Sequence, residues 1–184
     1  MNLKTFPNQL LVAMPKQAGT YFGNTVTYLC FHDQIGAFGL IINCPTKIKL
    51  ADFLRQIQCP TLVDPEKMVL EGGPVGLDQG FILHTNDVLV DESQNLYGNL
   101  ALTASKSLFD RIGEGCGPEQ YLITLGYAGW GPGQLEQEVS EGAWLVCPAN
   151  NEIIFRETFE SKVAQVAQTV GVDFSLLSPD FGEA

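Results

Sequence analysis

Short runs of β-branched, aromatic and leucine side chains recur along this chain, each closed within a few residues by Gly, Pro, Asn or Asp. Such punctuation keeps every regular element short and reads as a series of strands. Residues 10–13, 26–31, 38–42, 68–70, 81–83, 88–90, 121–125, 144–146 and 153–155 fit that description. Asp33-Gln34 followed by Ile35-Gly36 predicts a tight connection, so residues 26–42 read as a hairpin. Asp and Gly tolerate the positive φ that such turns require.

Helical spacing is rarer. Leu50, Phe53, Leu54 and Ile57 fall at i, i+3, i+4 and i+7, which places all four on one face. Ser105 is suited to cap a short helix with Leu108, Phe109 and Ile112 on its apolar side, stopped by Gly113 and Gly115. Phe155, Phe159, Val163, Val166 and Val170 predict a third helix ended by Gly171, and Asp173 is placed to cap a last turn through Phe174 and Leu177. Strands and helices do not alternate regularly, which argues against a doubly wound parallel sheet. The expectation is an α+β fold: a largely antiparallel, curled or barrel-like sheet with three to four flanking helices. At 184 residues, with no repeat or linker, the chain reads as one domain over 1–184.

Charge narrows the partners. Ten Lys and Arg face twenty-one Asp and Glu, a formal net charge of −11. Neither a nucleic acid nor an anionic membrane suits such a surface. The apolar stretch 10–14 is too short for a signal-peptide core, and no run approaches the roughly 18 residues of a membrane span. Cys30, Cys44, Cys59, Cys116 and Cys147 are odd in number and scattered, a usage that fits a reducing cytoplasm.

Several stretches, read in order, resemble a known family. They begin with residues 8–15 (NQLLVAMP), Tyr28-Leu29-Cys30 with His32, and residues 36–43 (GAFGLIIN). Gly72-Gly73-Pro74-Val75, residues 78–84 (DQGFILH) and residues 125–130 (LGYAGW) follow, then Gly133-Gln134-Leu135-Glu136 with Glu138, and Trp144-Leu145. The combination resembles the bacterial AlgH/YqgE family across nearly the whole chain. The resemblance implies a single α+β domain with a bulged, barrel-like sheet and no established biochemical activity; the family's name suggests transcriptional regulation. The chain departs from the family pattern at Gln79, where Arg is expected, and at Cys44, where a basic residue precedes the proline. It departs again at Gly142, where Asn is usual, and at Glu183, where His is usual. Each change removes a positive or polar group and argues against an anion site.

Two Gly/Pro clusters carry the strongest functional signal: Glu71-Gly72-Gly73-Pro74, and residues 126–133 (GYAGWGPG). Glycine permits positive φ and close approach by a ligand or another chain, while Tyr127 and Trp130 offer flat contact area. The same residues also suit sheet corners, with Trp130 as a core plug. No Lys or Arg occurs between Lys67 and Lys106 or between Arg111 and Arg156. Both clusters lie in these cation-free stretches, so neither forms a phosphate loop by itself.

The favoured expectation is a non-enzymatic binding or regulatory protein contacting a protein or small molecule through Gly72, Gly73, Pro74, Asp78, Tyr127, Gly129, Trp130, Gln134 and Glu136. Any effect on transcription is then indirect. The rival expectation is a hydrolase or metal-dependent enzyme using Asp78, His84, Glu136 and Glu138. Glu136 and Glu138, two apart on an expected strand, share a face there. Cys30 and His32 supply at most half a metal site, Cys116 lacks a neighbouring base, and no G-x-S-x-G elbow occurs. No metal or cofactor is therefore expected.

Overall fold

A computed structural model of the chain describes Phe6 and residues 8–173. In chain order the strands are β1 (Gln9–Ala13), β2 (Val26–Asp33), β3 (Gly36–Ile41), β4 (Pro45–Lys49) and β5 (Met68–Glu71), then β6 (Val75–Thr85), β7 (Gln94–Asn95), β8 (Leu100–Thr103), β9 (Tyr121–Trp130) and β10 (Trp144–Pro148). The helices are α1 (Leu50–Gln56), α2 (Lys106–Gly113), α3 (Gln134–Ser140) and α4 (Lys162–Thr169), with a 3-10 turn at Pro15–Gln17 and a π-helical turn at Glu152–Arg156. The class is α+β. Among the described residues all ladders are antiparallel except β5 with β9, and register shifts interrupt β2, β4 and β6.

The chain forms two compact units, one of residues up to Asn43 together with those from Ala128 onward, the other Cys44–Tyr127. In the first unit β1 lies between β10 and β2, and β3 pairs with β2 and with the last residues of β9. The expected hairpin is present: Asp33 faces Gly36, and the Asp33 carboxylate accepts from the Ile35 N–H at 2.8 Å. Gly36 holds φ at 137°, and a side chain there would overlap the Trp130 carbonyl oxygen. Leu11, Leu29, Trp130, Leu135 and Trp144 pack together as this unit's core.

In the second unit β6 is flanked by β8 and β9, β7 extends the sheet from β8, and β4 pairs with β5. The apolar faces of α1 and α2 meet Val69, Ile82 and Ile123 of the strands. Phe53 and Phe109 cross edge-on with centroids 5.5 Å apart. Both rings crowd Gly80, where a Cβ would come within 3.1 Å of Phe109 and 3.3 Å of Phe53. Ser105 caps α2 as expected, accepting from the Ser107 N–H.

Four expectations need correction. Residues 88–90 are not a strand, because the Val90 N–H goes to the Ser93 hydroxyl at 3.0 Å rather than to a ladder. Residues 153–155 form part of the π-helical turn. The predicted helix from Phe155 to Val170 is broken: Glu157 is extended, and the Thr158 hydroxyl accepts from the Ser161 N–H at 3.3 Å, so a new helix starts there. Glu136 and Glu138 lie on helix α3, not on a strand. Phe174 and Leu177 of the last turn expected after Asp173, and the departure at Glu183, lie outside the described residues.

Lys162 explains how the π-helical turn is tied to α4. This lysine is only 1% exposed, and its Nζ donates to the carbonyl oxygens of Ile153 at 2.5 Å and Ile154 at 2.7 Å. Burial pulls its pKa from 10.5 down to about 8, against the opposing pull of Glu157. Between those values the unfolded chain holds more protons, so stability rises with pH across that window and is flat below it. This group contributes at most about 1.4 kcal/mol per pH unit. The buried thiols, whose pKa values burial raises, act in the opposite direction over the same range, so the readout is the difference between two proteins: from pH 8 to 10 the urea midpoint of the wild type should rise relative to that of Lys162→Met. Equal slopes in the two proteins would refute the desolvation of Nζ.

Candidate functional site

The first glycine cluster packs backbone against backbone in the second unit. The Gly72 N–H donates to the Leu125 carbonyl at 2.8 Å. A Cβ on Gly72 would overlap the Gly126 carbonyl oxygen, and one on Gly126 (φ 74°) would lie 2.5 Å from the Gly73 oxygen. Gly72 and Gly73 are buried, and Val75 pairs with Tyr127. Thus Gly72, Gly73 and Tyr127 do come together, and their glycines serve close approach between segments of this chain.

Beyond that corner β6 loses register with β9: the two pair at Val75 and again only from Gly80. Pro74, Asp78 and Gln79 are exposed in this stretch, as are Val75 (42%) and Leu77 (59%). Gly76 takes φ 59°, and a Cβ there would meet the Tyr127 ring at 3.3 Å. The result is an exposed apolar ledge with one carboxylate beside it.

The second cluster behaves differently in the first unit. Trp130 is 6% exposed and belongs to the core, so its ring offers no contact area to a partner. Its Nε1 donates to Glu138 Oε2 at 2.9 Å, and Trp144 Nε1 donates to the same oxygen at 2.8 Å. Gln134 Nε2 occupies the other carboxylate oxygen at 2.8 Å, while its Oε1 accepts the Gly131 N–H at 3.0 Å. Phe22 completes the cluster, stacked on Trp130 and edge-on to Trp144. Gly129 is exposed.

Gly133, in the left-handed region at φ 73°, starts α3 and brings these groups into place. Residues two apart on a helix point in different directions. Glu138 turns to the indoles, whereas Glu136 Oε1 stands 3.1 Å from His32 Nε2. That pair is out of line for a hydrogen bond, so its contact is electrostatic. The expected shared face for the two carboxylates is absent.

His32 makes a poor metal ligand. Its Nδ1 accepts the Phe6 N–H at 2.9 Å, which leaves the proton of the neutral ring on Nε2. Cys30 directs its thiol toward the Tyr28 carbonyl oxygen at 3.9 Å, and burial drives its pKa up. Among the described residues, no three His, Cys, Asp or Glu side chains group as metal ligands. Asp78 is exposed and His84 fully buried, and the rival enzyme's four residues fall two in each unit.

Sequence reasoning missed the pairing of Glu138 with both tryptophans and that of His32 with Glu136, since both depend on α3. The Gly-Pro-Gly of residues 131–133, followed by Leu135 and Val139 four apart, was the available signal.

These features define an α+β protein with a buried aromatic–carboxylate cluster and a glycine-built corner. The chain belongs to the AlgH-like family, whose sequence model matches residues 10–175. It is 40% identical to a UPF0301 protein of Colwellia psychrerythraea, over 99% of this chain and 100% of that one. Identity to a UPF0301 protein of Nitrosococcus oceani is 42%, over 97% of each. The solution structure of AlgH from Pseudomonas aeruginosa is similar with a TM-score of 0.81 and 40% identity, covering 100% of this chain and 98% of that one. A crystal structure of a Corynebacterium diphtheriae protein, 20% identical, shares the fold at a TM-score of 0.77, over 97% and 94% of the two chains. No activity is established for the family.

Replacing the doubly bonded oxygen of Glu138 tests the cluster. In Glu138→Gln the neutral amide cannot offer both indoles a charged acceptor, and charge-assisted hydrogen bonds of this kind contribute about 2 kcal/mol each. Urea unfolding followed by tryptophan emission should show a loss of about that size. Unchanged stability would mean that the indoles do not depend on the carboxylate.

Proposed function

We propose that this chain is a cytoplasmic, non-enzymatic binding or regulatory protein, and that the start of β6 is its docking ledge for a protein partner. The observation that carries the reading is the exposure of Val75 and Leu77 where β6 loses its ladder with β9. Apolar side chains on a strand break give a partner both hydrophobic area and backbone groups to engage. Pro74 and Asp78 flank them, with Tyr127 behind. The absence of Lys and Arg between Lys67 and Lys106 makes the surroundings acidic, which suits a partner presenting apolar residues beside basic ones. Free cysteines agree with a reducing compartment.

Relative to the surface expected from sequence, this reading keeps Gly72, Gly73, Pro74, Asp78 and Tyr127. It assigns Trp130 to the core of the first unit, and Gln134 and Glu136 to the polar contacts of α3. Any influence on transcription passes through the bound partner, because the acidic balance disfavours duplex DNA.

The double variant Val75→Ser, Leu77→Ser should fold as the wild type, judged by its thermal melt. It should lose at least one partner that the tagged wild-type protein captures from bacterial lysate, by about tenfold or more, as truncation of central contacts does. An unchanged partner set would defeat the proposal. Fluorescence anisotropy at low salt should detect no binding to duplex DNA, and salt-dependent binding there would overturn the indirect route.

A further inference from the structure

His84 anchors a one-way chain of hydrogen bonds in the second unit, separate from the docking ledge. The imidazole is fully buried, with Nδ1 2.8 Å from the Thr85 carbonyl oxygen and Nε2 2.8 Å from Thr103 Oγ1. A carbonyl oxygen only accepts, so Nδ1 carries the proton of the neutral ring and Nε2 is the acceptor. Thr103 must then spend its single hydroxyl proton on Nε2. Ser93 Oγ stands 2.8 Å from Thr103 Oγ1, and with the threonine proton committed it is Ser93 that donates. The remaining side of Ser93 Oγ accepts the Val90 N–H at 3.0 Å. Every proton in the chain therefore points from Ser93 toward His84.

We propose that Ser93 is a nucleophilic acceptor of acyl groups from small neutral activated esters, giving up its proton through Thr103 to His84. Ser93 is half-buried, at the point where the turn after Val90 enters β7, whereas Thr103 and His84 lie beneath it. As Ser93 Oγ bonds to the acyl carbon, its proton moves to Thr103 Oγ1 and the threonine proton moves to His84 Nε2. The bond from the acyl carbon to the leaving oxygen breaks with its electron pair, and the proton passes back from His84 Nε2 through Thr103 Oγ1 to that oxygen, which departs into solvent. Burial pulls the pKa of His84 below its ordinary value, which keeps the ring neutral and ready to accept. The Thr85 carbonyl and the charge of Asp87 oppose that shift, so the transient imidazolium has support. Asp87 is itself fixed by the Thr85 hydroxyl at 2.5 Å and the Glu119 N–H at 3.0 Å. Exposed Asp91 and Glu92 precede Ser93 and disfavour anionic donors, which is why neutral esters are the expected class.

The probe is p-nitrophenyl acetate with the full chain at pH 8, read by release of p-nitrophenolate and by peptide mass mapping. One acetyl group per chain should appear on Ser93 and be absent from that position in Ser93→Ala. Thr103→Val, which keeps the side-chain shape but removes the relay, should slow acetylation at Ser93 by about a hundredfold, the lower range for a positioned proton acceptor. Thr103→Ser should retain most of the rate, a result that a merely structural threonine would not require. His84→Gln supplies a second break in the chain, and thermal melts establish that each variant is folded. No acetyl group on Ser93, or equal rates at Ser93 in the wild type and a folded relay variant, overturns the proposal.

Discussion

A tryptophan ring is easily buried, but its N–H is not, and the first unit of this protein buries two of them against one another. Both indole donors end on a single oxygen of Glu138, and Gln134 holds the other oxygen. That arrangement requires α3 at this place and in this rotation, since Glu138 reaches the indoles only from the helix. It also leaves Glu136 facing His32, whose ring stacks on Phe6 with centroids 5.3 Å apart. One carboxylate thus organises an aromatic core and the helix that delivers it, and the same helix sets a second carboxylate, Glu136, against His32. The arrangement trades a costly desolvation for several charge-assisted hydrogen bonds.

The second unit relies on a different constraint, the absence of side chains where backbones touch. Gly72 and Gly126 leave no room for a Cβ between their segments, and Gly80 makes room for Phe53 and Phe109. Contacts of that kind bring β6 alongside β9 at Val75 and again from Gly80, and the intervening stretch is left out of register. The ledge of Val75 and Leu77 is thus a by-product of the same glycines that close the corner. Packing and proposed function share their cause there.

Much of the fold was legible because local signals agreed with tertiary packing. The 26–42 hairpin, α1 and the Ser105-capped α2 each had periodicity and end signals pointing the same way, and each formed. Failures came where a side chain captured a backbone group that periodicity ignores. Ser93 took the Val90 N–H, and Thr158 took that of Ser161. Helix α3 escaped notice because seven residues hold only two turns, with Leu135 as its one buried side chain. The glycine corner was legible as a special backbone, and Trp130 read more readily as a core plug than as a contact, although the surface expected from sequence included it. The choice between those rested on Glu138, eight residues away.

The chain has only two tryptophans, and both share the carboxylate oxygen described above. Indole emission is consequently a local gauge, reporting the loosening of one aromatic knot and blind to events confined to residues 44–127. Tyrosines at 97, 121 and 127 are the corresponding chromophores of that other portion. Comparing the two signals during denaturation separates a molecule that comes apart all at once from one that does so in stages.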